Sequence, residues 1–307
     1  MPARWLLPAV LAIATALGFE PQIVRDTRPP LHSGVDLVMV TVTVLDSSGR
    51  LITGLPQEEF AVFEDGERQP ISVFINSRVP VGLGVLLDVS DSMFGQRILD
   101  ARTAVEHFLF TLLAPDDQYF LVAFNHAPRI LTRWTATPDV VREALDTIRP
   151  SGGTAIYDAV LSAMPLVQKR LQERAALLII SDGADTASDA TLRDVRSALL
   201  RSEAFVYAIA IDSSKRVPIN TRVNPTALGE ITNQSGGRTE VVTGTEELSA
   251  ATARIAEELN SQYVLGYASP KRLDGQYHSI RVTMRDGNYH ARARNGYMAV
   301  RRGSLNQ

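Results

Sequence analysis

The 307-residue chain contains no cysteine. That absence removes disulfides, thiol catalysis, Cys-ligated zinc and a lipid-modified cysteine behind an N-terminal leader. Histidine is sparse: His32, His107, His126, His278 and His290 are scattered, with no H-x-x-x-H pair to hold a metal or build a triad. No Lys or Arg run is longer than a pair such as Arg301-Arg302, and 31 Lys and Arg against 34 Asp and Glu give a net charge of -3. Such a chain sets up no field for nucleic acid, and none is expected as a partner. Neither the G-x-S-x-G elbow of serine hydrolases nor the G-x-x-x-x-G-K-[ST] phosphate loop occurs. No stretch reaches the roughly 20 apolar residues of a bilayer span.

What is present is a globular composition, 45% hydrophobic and 21% charged, enough to bury a sizeable core in two structural units without disulfides. The N-terminus MPARWLLPAVLAIATALGFEPQ has one Arg, about a dozen mostly apolar residues and the small residues Ala14, Ala16 and Gly18. This layout predicts a cleavable export signal over residues 1–18 and a periplasmic, secreted or cell-surface protein, with no transmembrane segment in the mature chain. Residues 19–33, with Pro21, Pro29 and Pro30, read as a linker, and 301–307 as a tail.

Residues 34–78 read as β throughout: VDLVMVTVTVL ends at the turn DSSG, and Asp65-Gly66 separates two apolar stretches as in a hairpin. From 79 to 261 the texture changes. The apolar runs VGLGVLL, QYFLVAF, AALLII and AFVYAIAI alternate with segments of helical period such as Arg97 to Leu113 and Ala155 to Leu171. This predicts an α/β domain with a Rossmann-like, mainly parallel sheet covered by helices on both faces. RILTRW follows its predecessor too closely for a crossover and reads as an antiparallel edge strand. The last helix is expected near 246–259. Residues 262–300 return to β, with Asp286-Gly287 expected to form a hairpin between the last two strands. Few strands stand at either end, so they are expected to combine into one small all-β sandwich into which the α/β domain is inserted. Displacement of the last helix would then be felt by the sandwich.

Ligands of open α/β sheets sit at the carboxyl ends of the parallel strands. After VGLGVLL comes Asp88-Val89-Ser90-Asp91-Ser92; after AALLII comes Ser181-Asp182-Gly183; between them SGGTAIYDA offers Thr154 at a helix start. Hydroxyls of Ser90, Ser92 and Thr154 with carboxylates of Asp88 and Asp182 are hard oxygen donors, suited to Mg²⁺, with Mn²⁺ or Ca²⁺ as alternatives and zinc disfavoured. Each residue also has a plainer reading: Ser90, Ser92 or Thr154 as a helix cap, Asp182 as a turn residue. Asp91, Asp158 and Asp185 read as turn, cap or supporting residues.

D-x-S-x-S, G-G-T and S-D-G in this order resemble the metal-ion-dependent adhesion site of von Willebrand factor type A domains, a resemblance covering about residues 79–261. The flanks GLPQEEFAVFEDGERQPISVF, QYVLGY and RNGYMAV are similar to an exported bacterial group of von Willebrand factor A domain-related proteins common in Acidobacteria. The resemblance implies that Ser90, Ser92 and Thr154 ligate the metal directly, and that Asp88 and Asp182 accept hydrogen bonds from those hydroxyls or from metal-bound water, with one of the two able to become a direct ligand when the site changes state. It implies no enzyme, but a cation-dependent protein-binding or adhesion module. With two carboxylates the ion stays under-neutralised and open to an Asp or Glu carboxylate of a partner protein. Two rivals are a structural or assembly module in which the metal only rigidifies loops, and a metal-assisted hydrolase. The latter chemistry would want a second carboxylate where Ser90 stands.

Overall fold

The structure, a computed structural model, describes residues 37–182, 184–211, 225–271 and 274–299. The expected leader, linker and tail lie outside these residues. Described first are the N-terminal strands β1 (Leu37–Asp46), β2 (Phe60–Glu64), β3 (Glu67–Gln69) and β4 (Val73–Ile75). The middle of the chain supplies β5 (Val81–Asp88), α1 (Gln96–His107), β6 (Gln118–Phe124), β7 (Pro128–Thr135), α2 (Pro138–Asp146), α3 (Ile156–Gln168) and β8 (Arg174–Ser181). There follow α4 (Leu192–Arg201), β9 (Phe205–Ile211), α5 (Pro225–Ser235), β10 (Thr239–Val242) and α6 (Thr245–Asn260). β11 (Tyr263–Ala268), β12 (Tyr277–Met284), β13 (Tyr289–Arg292) and β14 (Gly296–Met298) complete the order.

The central sheet runs β10-β9-β8-β5-β6-β7, parallel except for β7, which pairs antiparallel with β6 at the edge as RILTRW predicts. Every residue of β5, β8 and β9 is buried, which is why these strands are unbroken apolar runs: both faces are covered. Along β5, Leu83, Val85 and Leu87 pack with α1, α2 and α6, whereas Leu86 faces α3, α4 and α5. Gly84 lies on that second face, two residues from Leu86, and is glycine because a Cβ there would stand 2.2 Å from Phe120 Cζ. The edge strand β10, four residues and half exposed, carries too little apolar signal to be legible in sequence.

The terminal strands form two antiparallel sheets, β13-β1-β11-β4 and β14-β12-β2-β3, packed through Val38, Val40, Phe60, Val62, Tyr263, Ile280 and Tyr297. The fold is thus an α/β sheet domain inserted in an all-β sandwich. The Asp65-Gly66 turn joins β2 to β3 as expected, with both residues at positive φ. The Asp286-Gly287 turn does not make a hairpin. β12 pairs with β2 and β14, whereas β13 pairs with β1 in the other sheet. The reason lies in β1: β11 takes only Leu37 to Val42, leaving Thr43 to Asp46 to receive β13.

One buried polar knot joins the two parts. Glu258, on α6 and 1% exposed, accepts from Thr43 Oγ1 on β1 (3.1 Å), Tyr207 OH on β9 (2.7 Å) and Arg292 Nη2 on β13.

Candidate metal centre

The site is built where β5 and β8 end. After Asp88 the chain leaves the sheet through Val89 and Ser90 into a 3-10 turn at Asp91–Met93, which delivers Ser92 to the surface while Met93 stays buried. The Ser151-to-Thr154 loop is stitched to this turn by backbone bonds, Ser151 N–H to Val89 O at 2.8 Å and Asp91 N–H to Gly152 O at 2.9 Å. Gly152 makes that approach possible: its φ is +76°, and a Cβ would come within 2.9 Å of His126 Nδ1. On the other side Thr154 O accepts from the N–H groups of Thr186 and Ala187, so all three loops form one surface.

Asp88, Ser90, Thr154 and Asp182 are buried and Ser92 is exposed. Asp88 is fully engaged, Oδ1 accepting from the Ser90 N–H (2.8 Å) and Oδ2 from the Ser181 hydroxyl (2.5 Å). Ser90 Oγ and Ser92 Oγ lie 3.0 Å apart, and Ser92 donates to Asp182 Oδ1 at 2.6 Å. Burial pushes the Asp88 carboxyl up to about 6, against hydrogen bonds from Ser181 and Ser90 and with help from the Asp182 charge. Burial likewise raises Asp182, opposed by Ser92 and Arg97.

The capping alternatives find no support in the geometry. Ser90 precedes the 3-10 turn without a side-chain cap bond, and α1 starts from Gly95. Thr154 makes no side-chain hydrogen bond among the described residues; instead Asp185 Oδ1 accepts the α3 N–H groups of Ile156 (2.7 Å) and Tyr157 (3.3 Å). Asp158 holds the N–H groups of Asp189 and Ala190. Both are loop-fastening residues, as the sequence suggests. Asp91 stands exposed. Two participants are given no role in the sequence reading: Ser181 enters only as the first letter of S-D-G, and Arg97 only as the start of a segment of helical period. Arg97 Nη1 in fact donates to Ser92 O (2.6 Å) and Asp182 Oδ2 (2.9 Å). The signal that could have found it is its place in the first turn after the D-x-S-x-S loop.

Do these residues fit a cation? Among the described residues no cluster of three or more His, Asp or Glu could hold a metal, so an ion here would rely on hydroxyls. An octahedral ion with oxygens at about 2.1 Å places neighbouring ligands about 3.0 Å apart, the Ser90 to Ser92 spacing. Ca²⁺, with bonds near 2.4 Å, would want them about 0.4 Å wider. The Thr154 hydroxyl, without a hydrogen bond among the described residues, and the two buried carboxylates complete a donor set that suits Mg²⁺ or Mn²⁺.

Comparison with known proteins places the same segment. Residues 83–184 match the family model described as von Willebrand factor type A domain. Inter-alpha-trypsin inhibitor heavy chain H2 of Mus musculus is 23% identical over 203 residues, 60% of this chain and 20% of its own length. The chain spans 14% to 20% of the curated relatives it matches. Among solved structures, a von Willebrand factor type A protein from Catenulispora acidiphila superposes with a TM-score of 0.52 at 12% identity, covering 86% of this chain and 73% of that one. An aerotolerance-related membrane protein from Bacteroides fragilis gives 0.50 at 20% identity, over 59% and 98%. At such identities the two structures bear on the fold alone. Among the described residues no helix is long and apolar enough to cross a membrane.

Proposed function

We propose that this chain, which carries a von Willebrand factor type A domain, is an exported, divalent-cation-dependent protein-binding module and not an enzyme. Its metal-ion-dependent adhesion site is Asp88, Ser90, Ser92, Thr154 and Asp182, and its partner is a protein presenting an Asp or Glu carboxylate. One observation carries the reading: two hydroxyls at ligand spacing, 3.0 Å, stand over two buried carboxylates at the carboxyl end of a parallel sheet, beside a third hydroxyl that makes no hydrogen bond among the described residues.

The roles follow from the bonds. Ser90, Ser92 and Thr154 would hold Mg²⁺, with Mn²⁺ as an alternative and Ca²⁺ a poorer fit, and the ion supplies the positive charge that a partner carboxylate meets. Asp88, tied down through both oxygens by Ser90 and Ser181, fixes the path of the first loop. Asp182 orients the Ser92 hydroxyl. Neutral hydroxyl donors leave the ion charge only partly balanced, which favours an acidic ligand from outside.

A pull-down from envelope or extracellular extract, with Mg²⁺ or with EDTA, tests this. The partner should be recovered with Mg²⁺ and lost both in EDTA and with the Ser90→Ala, Ser92→Ala double variant. Equal recovery in every condition, with Mg²⁺ still raising the melting temperature, would hand the case to the rival in which the metal only stiffens loops.

A further inference from the structure

Among the described residues Arg97 is the one cationic side chain bonded to the proposed site, and its bonds are specific. Nη1 reaches Asp182 Oδ2 at 2.9 Å and the Ser92 carbonyl oxygen at 2.6 Å, so it joins the loop after β5 to the loop after β8. Asp182 Oδ1 is meanwhile taken by the Ser92 hydroxyl at 2.6 Å, and the Asp182 side chain is fully buried. Both oxygens of that carboxylate are therefore committed within the protein. Of the two acidic groups, one is held off by a guanidinium, and its charge is offset before any cation arrives.

From this geometry we infer that Arg97 sets the cation affinity of the site, keeping Asp182 out of direct coordination so that the ion binds weakly and stays strongly attractive to a partner carboxylate. The inference rests on the metal reading above and adds its regulation: cation and acidic partner bind cooperatively, each improving the site for the other. A unit positive charge within roughly 6–8 Å of a divalent ion opposes its binding by about tenfold even at the dielectric constant of water. Freed of Arg97, Asp182 keeps its full charge and one unpaired oxygen to offer the ion. The direction distinguishes this role from a structural one. Loss of a bond that merely braces two loops loosens the cation, whereas loss of Arg97 as described here tightens it.

The test is calorimetric titration of Mn²⁺ into the whole protein and its Arg97→Gln and Arg97→Lys variants, with circular dichroism melts in EDTA confirming that each is folded. Arg97→Gln should bind Mn²⁺ about tenfold tighter than wild type, and Arg97→Lys, which keeps the charge, should stay within about threefold of it. Tightening in Arg97→Gln that Ser90→Ala with Ser92→Ala abolishes supports the assignment. Equal or weaker Mn²⁺ binding in Arg97→Gln overturns the role of Arg97 while leaving the metal site standing. No Mn²⁺ uptake by any of the three proteins overturns both.

Discussion

Replacing Glu258 by Gln keeps the volume of a side chain that is 1% exposed but removes the charge at the junction of α6 with the sandwich. Glu258 Oε1 accepts from Thr43, Tyr207 and Arg292, and Oε2 faces Arg238 Nε at 3.4 Å, an ion pair without hydrogen-bond geometry. Removing one member of a buried pair costs about 3–5 kcal/mol because the other is left uncompensated. Arg292 and Arg238 keep 25% and 27% of their side-chain surface exposed, so water recovers part of this, and about 2–4 kcal/mol remains. With a denaturant slope of about 3 kcal/mol per molar for a domain of this size, the urea midpoint should fall by about 1 M. Far-ultraviolet circular dichroism and tyrosine fluorescence should move together, because the knot spans α6 and β9 of the α/β part and β1 and β13 of the sandwich. A loss below about 0.5 kcal/mol, the scale of an ordinary surface change, would refute the claim that the buried Glu258 carboxylate holds this junction together. Two separate transitions would refute the claim that it couples the two parts.

Other outcomes follow from single contacts. Asp185→Ala should cost about 1 kcal/mol by removing the acceptor for the first N–H groups of α3, and it should weaken Mn²⁺ binding measurably, because the Thr154 loop hangs from the same corner. Gly84→Ala should destabilise by about 1–3 kcal/mol in chemical denaturation, since its methyl group meets Phe120 and Leu177 side chains in a packed core. His278 places Nδ1 2.7 Å from Asp65 and Nε2 3.0 Å from Asp274. Burial works against its charge, but the bonds to both carboxylates hold its pKa above the usual 6.5. The stability it adds is therefore complete below pH 6.5 and lost as pH rises through the raised value; His278→Gln should flatten the fall in melting temperature across that range, and an unchanged slope would exclude the His278 clamp.

Much of this architecture can be read from residue order. The parallel strands are legible because strands buried on both faces must be apolar at every position, and the D-x-S-x-S, G-G-T and S-D-G loops because three oxygen-rich segments at strand ends and a helix start say together what none says singly. What stays hidden depends on contacts between distant residues. Arg97 looks like any helix-surface arginine until the loop carrying Asp182 comes within 2.9 Å of it. The β13 pairing was misread because a D-G turn signals a change of direction and not which sheet receives the next strand. Asp185 and Asp158 read in sequence as turn, cap or supporting residues, but which N–H groups they hold is set only once the loop after β8 folds back over the start of α3.

The central claim is that hydroxyls of Ser90, Ser92 and Thr154, backed by Asp88 and Asp182, hold one divalent cation. Calorimetric titration of Mg²⁺ into the EDTA-stripped wild-type protein and into the Ser90→Ala, Ser92→Ala variant tests it most directly. One ion per chain in the wild type, and none in a variant that still melts cooperatively, is the predicted result. Identical titration curves for the two proteins would contradict the account.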